Sequence, residues 1–190
     1  MSKKMWYIAA PFIMAVLVVI DQITKYFARA DLADGDFVIW ENVFCFSLRQ
    51  NKGAAWSMLD GRVDFLTALS IVLLVIICFF FVKIPEGRKY NIIHFLALAL
   101  GAGGLGNVID RVRMGSVTDF LYIKLIDFPV FNVADCYITF SVFIFILLAI
   151  FHYKDADLEF MGLDKTKKKP EEKQVTEGSD ESKGDEAKNE

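Results

Sequence analysis

Histidine and cysteine, the residues on which much metal and nucleophile chemistry depends, are scarce in this sequence. The two histidines, His94 and His152, form no HExxH motif. The three cysteines, Cys45, Cys78 and Cys136, are odd in number and show no CxxC spacing, so they predict packing residues rather than disulfides or a zinc site. A histidine triad and a zinc protease are therefore disfavoured, and neither a metal nor an organic cofactor is predicted.

The motifs of serine hydrolases are also missing. No Gly-x-Ser-x-Gly elbow is present, and Ser57, Ser116 and Ser141 have no obvious neighbouring base. A Ser–Lys pair that uses Lys25 or Lys52 stays open as an alternative.

Charge is absent from several long stretches, and the composition is apolar. Hydrophobic residues make up 55% of the 190 residues, and the mean hydropathy is +0.39, which indicates a membrane protein. Residues 154–190 hold 8 basic and 12 acidic residues, whereas residues 1–153 hold 13 and 12 and are almost neutral. Because the cations form no stripe, no binding to nucleic acid is predicted.

Four apolar stretches predict an all-α membrane domain over residues 1–153, with spans at about 6–27, 63–83, 91–110 and 135–153. A cleaved signal peptide is the alternative for the first stretch. Glycines 101, 103, 104 and 106 predict close packing of the third span. The charged segment 154–190 is predicted to be a disordered cytoplasmic tail.

Basic residues near the span ends predict the orientation, with both termini cytoplasmic. The cytoplasmic set is Lys3, Lys4, Lys83, Arg88, Lys89, Lys154 and the lysines of 165–169. The outer loops, 28–62 and 111–134, also contain cations, among them Arg49, Lys52 and Arg113, which need a role other than topology. Apolar, β-like stretches at 37–48 and 117–131 predict a small β platform on the outer membrane surface, accompanied by an outer-loop helix.

Polar residues gather at the outer ends of the predicted spans and in the outer loops. The set is Asp21, Lys25, Asn51, Asn107, Asp110, Arg111, Asp119, Asn132 and Asp135. Because charge at membrane depth is costly, this concentration predicts a functional site. The alternative is purely structural, with Asp21 or Asp110 forming an interfacial ion pair with Lys25 or Arg111.

Carboxylate chemistry is the remaining possibility. Two aspartates in a partly desolvated site share a proton, so one can act as a base and the other as an acid. Spacing does not decide which two of the six outer candidates form the pair; these are Asp21, Asp60, Asp64, Asp110, Asp119 and Asp135.

Several sequence blocks carry a family resemblance over about residues 5–153. They are Asp-Gln-Ile-Thr-Lys at 21–25, Gln-Asn-Lys-Gly-Ala-Ala-Trp-Ser at 50–57, Gly-Asn-Val-Ile-Asp-Arg at 106–111, Val-Thr-Asp-Phe at 117–120 and Phe-Asn-Val-Ala-Asp at 131–135. In these blocks, and in their order, the chain resembles the lipoprotein signal peptidases (signal peptidase II). Trp56 departs from the pattern, since the family more often has Phe there.

The resemblance implies an aspartyl endopeptidase whose catalytic residues are Asp119 and Asp135. It further implies that the site is shaped by Asn51, Gly53, Asn107, Arg111, Asn132 and Ala134, with structural support from Asp21, Lys25, Gly103 and Asp110. The implied substrates are diacylglyceryl-modified prolipoproteins, which are cleaved before the lipidated cysteine at the outer leaflet of the bacterial cytoplasmic (inner) membrane. Membrane lipid is the expected surrounding, and a monomer is expected.

Two other classes of function stay open at this point. Intramembrane acids also mark proton-coupled transporters, although the middle of every predicted span is essentially free of charge. A non-catalytic chaperone or receptor for lipidated chains would use the outer platform only to bind.

Overall fold

Four long helices form the body of the protein in the computed structural model, which describes residues 1–53 and 61–162. They are α1 (Lys3–Asp31), α2 (Val63–Lys83), α3 (Asn91–Met114) and α4 (Val133–Phe151). Each is long and apolar enough to cross a membrane. The predicted four-helix fold is confirmed.

Helix α1 is longer at both ends than the predicted span at 6–27. The side chain of Ser2 accepts a hydrogen bond from the Met5 amide at 3.4 Å, which caps the first turn. At the other end, Asp21 and Lys25 are buried inside the bundle, so these polar residues do not interrupt the helix.

Helix α3 occupies the centre of the bundle and packs against the other three helices. In α3, 61% of the most apolar window is buried, compared with 6–11% in the other helices. Its glycines permit this packing, as predicted: Gly103 lies against the Ala134 carbonyl and the Ile138 side chain of α4. Gly104 faces the Leu74 side chain of α2.

A three-stranded antiparallel sheet covers one end of the bundle, called the sheet end below. Its strands are β1 (Phe37–Trp40), β2 (Phe44–Asn51) and β3 (Val117–Ile123), in the order β1-β2-β3. A small apolar core joins the sheet to the last turns of α1; it comprises Ala28, Leu32, Phe46, Leu48 and Phe120. The predicted small sheet is confirmed. The predicted outer-loop helix corresponds, in the described residues, to one 3-10 turn at Lys124–Ile126.

The opposite end of the bundle is closed by a segment that follows α4. Residues Asp155–Met161 form a 3-10 helix, and Leu158 is buried against Ile84 and Ile93. The side chain of Lys89 forms a salt bridge with Asp157. The ordered part of the chain therefore extends past residue 153, where the predicted tail begins, because apolar residues within this charge-rich stretch reach the core. Residues 163–190 lie outside the described part of the chain.

Candidate active site

Three charged side chains lie buried between α1 and α3 near the sheet end. The Lys25 ammonium is 3.1 Å from Asp21 Oδ2 and 3.3 Å from Asp110 Oδ2, and all three residues have no exposed surface. Gln22 donates to both carboxylates, at 3.1 Å to Asp21 and 3.0 Å to Asp110. These three residues, Asp21, Lys25 and Asp110, are called the buried charge network below. Each of its charges has an oppositely charged partner within the network.

The buried charge network also fixes two neighbouring elements. Asp110 Oδ2 accepts a hydrogen bond from the backbone amide of Thr118 at 3.0 Å, which holds the start of β3 against α3. Asp21 Oδ1 accepts one from the amide of Ala134 at 3.0 Å, which holds the first turn of α4 against α1. The two amide donors, Thr118 and Ala134, each directly precede another aspartate in the sequence: Asp119 in β3 and Asp135 in α4.

Asp119 is buried on β3 and is held by two side-chain amides. Asn132 donates to its Oδ1 at 2.6 Å, and Asn51 of the neighbouring strand β2 donates to its Oδ2 at 2.9 Å. The amide of Gly53 in turn donates to Asn51 Oδ1 at 2.9 Å, which orients the Asn51 side chain. Both carboxylate oxygens are therefore held in a fixed geometry.

Asp135 lies in the first turn of α4 and belongs to a capping box. Its Oδ2 accepts from the Asn132 backbone amide at 3.1 Å, and its own amide donates to Asn132 Oδ1 at 3.0 Å. The side chain of Asn107 donates to Asp135 Oδ1 at 2.8 Å. Asn132 thus contacts both aspartates and couples their positions.

Asn107 connects this aspartate pair to the buried charge network. Its Oδ1 accepts hydrogen bonds from Lys25 Nζ at 2.8 Å and from Asn132 Nδ2 at 3.3 Å, which leaves its amide group to donate to Asp135. Gly106 lies so close to Asp21 that a Cβ at this position would collide with the carboxylate. The orientation of the pair therefore depends on Asn107, which lines the cleft, and on Lys25 and Asn132 behind it, which do not.

Asp119 and Asp135 open onto one cleft of about 960 Å³. Its polar side includes Asn51, Gly53 and Arg111, and its apolar side includes Ile138 and Phe140 of α4. The Arg111 guanidinium lies within electrostatic range of Asp135, Asp119 and Asp110. A cleft that joins acidic groups, hydrogen-bond donors and an apolar wall suits a peptide with an apolar segment.

The pKa of the Asp119 carboxyl is raised to about 7, chiefly by burial and then by the neighbouring charge of Asp135. The hydrogen bonds from Asn51 and Asn132 oppose this effect, since they favour the ionised form. A carboxyl with a pKa near 7 holds or releases a proton in the neutral range, which is what acid–base catalysis requires.

The structure thus brings the predicted site residues together near the sheet end. Gly103 of α3 lies against the Ala134 carbonyl of α4, and the Ala134 amide donates to Asp21 of α1. Of the six candidate aspartates, Asp64 lies in the first turn of α2 and does not line the cleft. Asp60, Trp56 and Ser57 lie outside the described residues.

Two contributors were not among the predicted site residues. Gln22 bridges Asp21 and Asp110, and the Thr118 amide holds Asp110. Gln22 directly follows Asp21 in a predicted span, and a polar residue beside a buried acid was a sequence signal for a hydrogen-bond partner. The role of the Thr118 amide depends on where β3 packs against α3, which the sequence does not indicate. His94 and His152 lie near the opposite end of the bundle. Residues 1–53 and 61–162 contain no group of three or more side chains suited to a metal ion.

Comparison with known proteins gives consistent matches. A family model described as signal peptidase (SPase) II matches residues 13–151. A lipoprotein signal peptidase of Staphylococcus haemolyticus (strain JCSC1435) is 38% identical over 160 residues, which cover 82% of this chain and 98% of that protein. One from Staphylococcus aureus (strain MRSA252) is 38% identical over 152 residues, with coverage of 77% and 91%.

Solved structures of similar shape also match. A bacterial membrane enzyme solved by the in meso method at 2.3 Å resolution has a TM-score of 0.66 and 32% identity, and the match covers 75% of this chain and 87% of that one. A second bacterial membrane enzyme, solved by the same method at 1.9 Å, has a TM-score of 0.62 and 32% identity, with coverage of 77% and 94%.

Proposed function

The chain belongs to the signal peptidase II family, and from this premise we propose that it is an aspartyl endopeptidase acting on diacylglyceryl-modified prolipoproteins. It is a multi-pass bacterial membrane peptidase by its family and its four apolar helices. The proposed cleavage releases the signal peptide by breaking the peptide bond before the lipidated cysteine.

The observation that carries the aspartyl mechanism is the pairing of Asp119 and Asp135 in one cleft. The two residues come from different elements, yet both contact Asn132, and each carboxylate is held by amide donors. This arrangement supports a shared-proton dyad, in which like charges in a desolvated site prevent both groups from ionising together.

We assign a role to each member of the dyad. Asp119, whose pKa is raised to about 7, is the proposed holder of the shared proton, and Asp135 is the proposed carboxylate. Asp135 then takes a proton from the attacking water, whose oxygen bonds to the scissile carbonyl carbon, and Asp119 donates its proton to the carbonyl oxygen. As the tetrahedral intermediate collapses, the C–N bond breaks, the leaving amine takes the proton from Asp135, and a hydroxyl of the intermediate returns a proton to Asp119, which restores the dyad. Arg111 and Asn51 are the proposed groups that orient the peptide.

The proposed orientation puts the sheet end, and so the dyad, on the outer side of the cytoplasmic membrane. The basic residues Lys3, Lys4, Lys83, Arg88 and Lys89 occur at the ends of helices opposite the sheet, which favours the cytoplasm for that side. A substrate with a transmembrane signal helix and two acyl chains presents its scissile bond at the same outer level.

The test of this function uses the purified chain in liposomes. The substrates are a diacylglyceryl-modified prolipoprotein and the same protein without the lipid, incubated with a chelator, and the products are identified by mass spectrometry. We expect one cleavage, immediately before the lipidated cysteine, in the modified substrate. Binding of the modified substrate without cleavage would favour the receptor function, and cleavage at other positions would contradict the proposal.

The dyad predicts a pH dependence of cleavage. Since Asp119 acts in its protonated form, kcat/KM is expected to fall as pH rises through about 7, the pKa of Asp119. The Asn51 hydrogen bond lowers this pKa, so Asn51→Ala is expected to raise it and move the alkaline limb to higher pH. The measurement is the pH profile of kcat/KM. As a control, Asn91→Ala removes an amide at the opposite end of the bundle and should keep the alkaline limb of the wild type. A shift of this limb to lower pH in Asn51→Ala would contradict its assignment to Asp119.

A further inference from the structure

The cleft beside the dyad has two chemically different parts. Its apolar part is formed by Ile138 and Phe140, which lie about one helical turn further along α4 than Asp135. The cleft rim, defined by Arg49 and Lys52, belongs to the first outer loop and lies on the sheet side. The dyad therefore lies between an apolar wall and a cationic rim.

Arg49 lies on the dyad side of the sheet by the geometry of its strand. It lies two residues before Asn51 on β2, so the two side chains share one face of the sheet, and Asn51 contacts Asp119. Across the ladder, Arg49 is the residue paired with Asp119. The side chain is exposed and lines the cleft.

The charge of this rim is not neutralised by a salt bridge within the described part of the protein. Arg49 donates one hydrogen bond, from Nη1 to the Leu48 carbonyl at 2.9 Å, which leaves most of its five donors unused. Neither Arg49 nor Lys52 forms a salt bridge with a described residue. Lys and Arg are more frequent in the cytoplasmic loops of membrane proteins than in the outer loops. Cations in an outer loop therefore call for a reason other than orientation.

We propose that Arg49 and Lys52 form an anion subsite that binds a carboxylate side chain within the first residues of the mature chain. This inference rests on the proposed function. The residues before the cleaved bond form an apolar transmembrane segment, which fits the wall of Ile138 and Phe140. The residues after it leave the bilayer, and their path from the dyad crosses the cleft rim. An arginine with free paired donors is suited to a carboxylate.

The test compares two modified prolipoproteins that differ only in one residue shortly after the lipidated cysteine, which is aspartate in one and lysine in the other. For the wild type in neutral liposomes, we expect kcat/KM to be roughly fivefold higher for the aspartate substrate, in line with a solvent-accessible ion pair. Arg49→Glu is expected to reverse the preference, and Arg49→Gln to reduce it.

A matched control separates the subsite from general electrostatics. Arg113→Glu makes the same charge change at the end of α3, outside the cleft, and is expected to keep the wild-type ratio between the two substrates. If wild type cleaves both substrates at equal rates, the subsite is wrong while the proposed function stands. If Arg49→Glu changes both rates by the same factor or shifts only the pH profile, Arg49 acts on the dyad instead. If the preference for the aspartate substrate appears only in liposomes with anionic lipid, the rim binds lipid headgroups and the proposal is overturned.

Discussion

Asp135→Asn and Asp119→Asn are each expected to lower kcat for prolipoprotein cleavage by about 10³-fold. An asparagine at position 135 cannot take a proton from water, and one at position 119 cannot supply a proton to the carbonyl oxygen. Both replacements keep the size and shape of the side chain and one of its two acceptor oxygens, so substrate binding should persist. The measurement is single-turnover cleavage, with binding of a labelled substrate followed in the same liposomes.

The control for this experiment is Asp127→Asn. Asp127 lies between β3 and α4, outside the cleft, and accepts a hydrogen bond from the Tyr122 hydroxyl. Its φ of 48° is one that asparagine tolerates well, so this variant should fold and cleave like the wild type. Cleavage at the wild-type rate by either dyad variant would remove that aspartate from the mechanism.

Lys25→Met is expected to lower the free energy of unfolding by about 3–5 kcal/mol, the range found when one partner of a buried ion pair is removed. The substitution leaves the buried carboxylates of Asp21 and Asp110 without their cation. It also removes the donor to Asn107, so the Asp135 side chain loses an indirect support. The measurement is thermal or denaturant unfolding in detergent.

Lys89→Met is the matched comparison for this prediction. Its salt bridge with Asp157 is exposed, and screening by water makes such pairs weak, so its loss should change stability far less. Adding Asp21→Asn to Lys25→Met is expected to recover part of the lost stability, because one uncompensated buried charge is removed. Equal stabilities for Lys25→Met and Lys89→Met would contradict the proposed importance of the buried charge network.

The four spans and the platform were predictable from the sequence because their signals are local. Apolar length identifies each span, and the aromatic and β-branched stretches identify the strands. The gathering of polar residues near one end followed from the topology alone, since alternate spans run in opposite directions. These predictions do not depend on how any two side chains meet.

The choice among the six aspartates was not predictable from spacing, because it depends on non-local geometry. Asp119 meets Asn51 through the pairing of β2 with β3, and a shift of one residue would turn it to the other face. Asp135 is oriented by a capping box, whose partner Asn132 also reaches Asp119. The resemblance named this pair, and the register and the cap give physical reasons why it converges.

The ordered segment after α4 was missed for a different reason. Residues Asp155–Met161 belong to a stretch whose average composition is charged, and average composition predicts disorder. The docking depends on a few apolar side chains, above all Leu158, that fit between elements distant in sequence. A composition average cannot detect such a contact.

The central position of α3 has a consequence for biogenesis. Tyr7 of α1 contacts Phe81 of α2, but both helices pack mainly against α3. During synthesis, the first two spans therefore reach the bilayer before the helix that joins them exists. Until the third span is inserted, the ammonium of Lys25 lacks Asp110 and Asn107 and has only Asp21 of its own helix as an ion-pair partner, so we expect this charge to be desolvated only when α3 packs against α1.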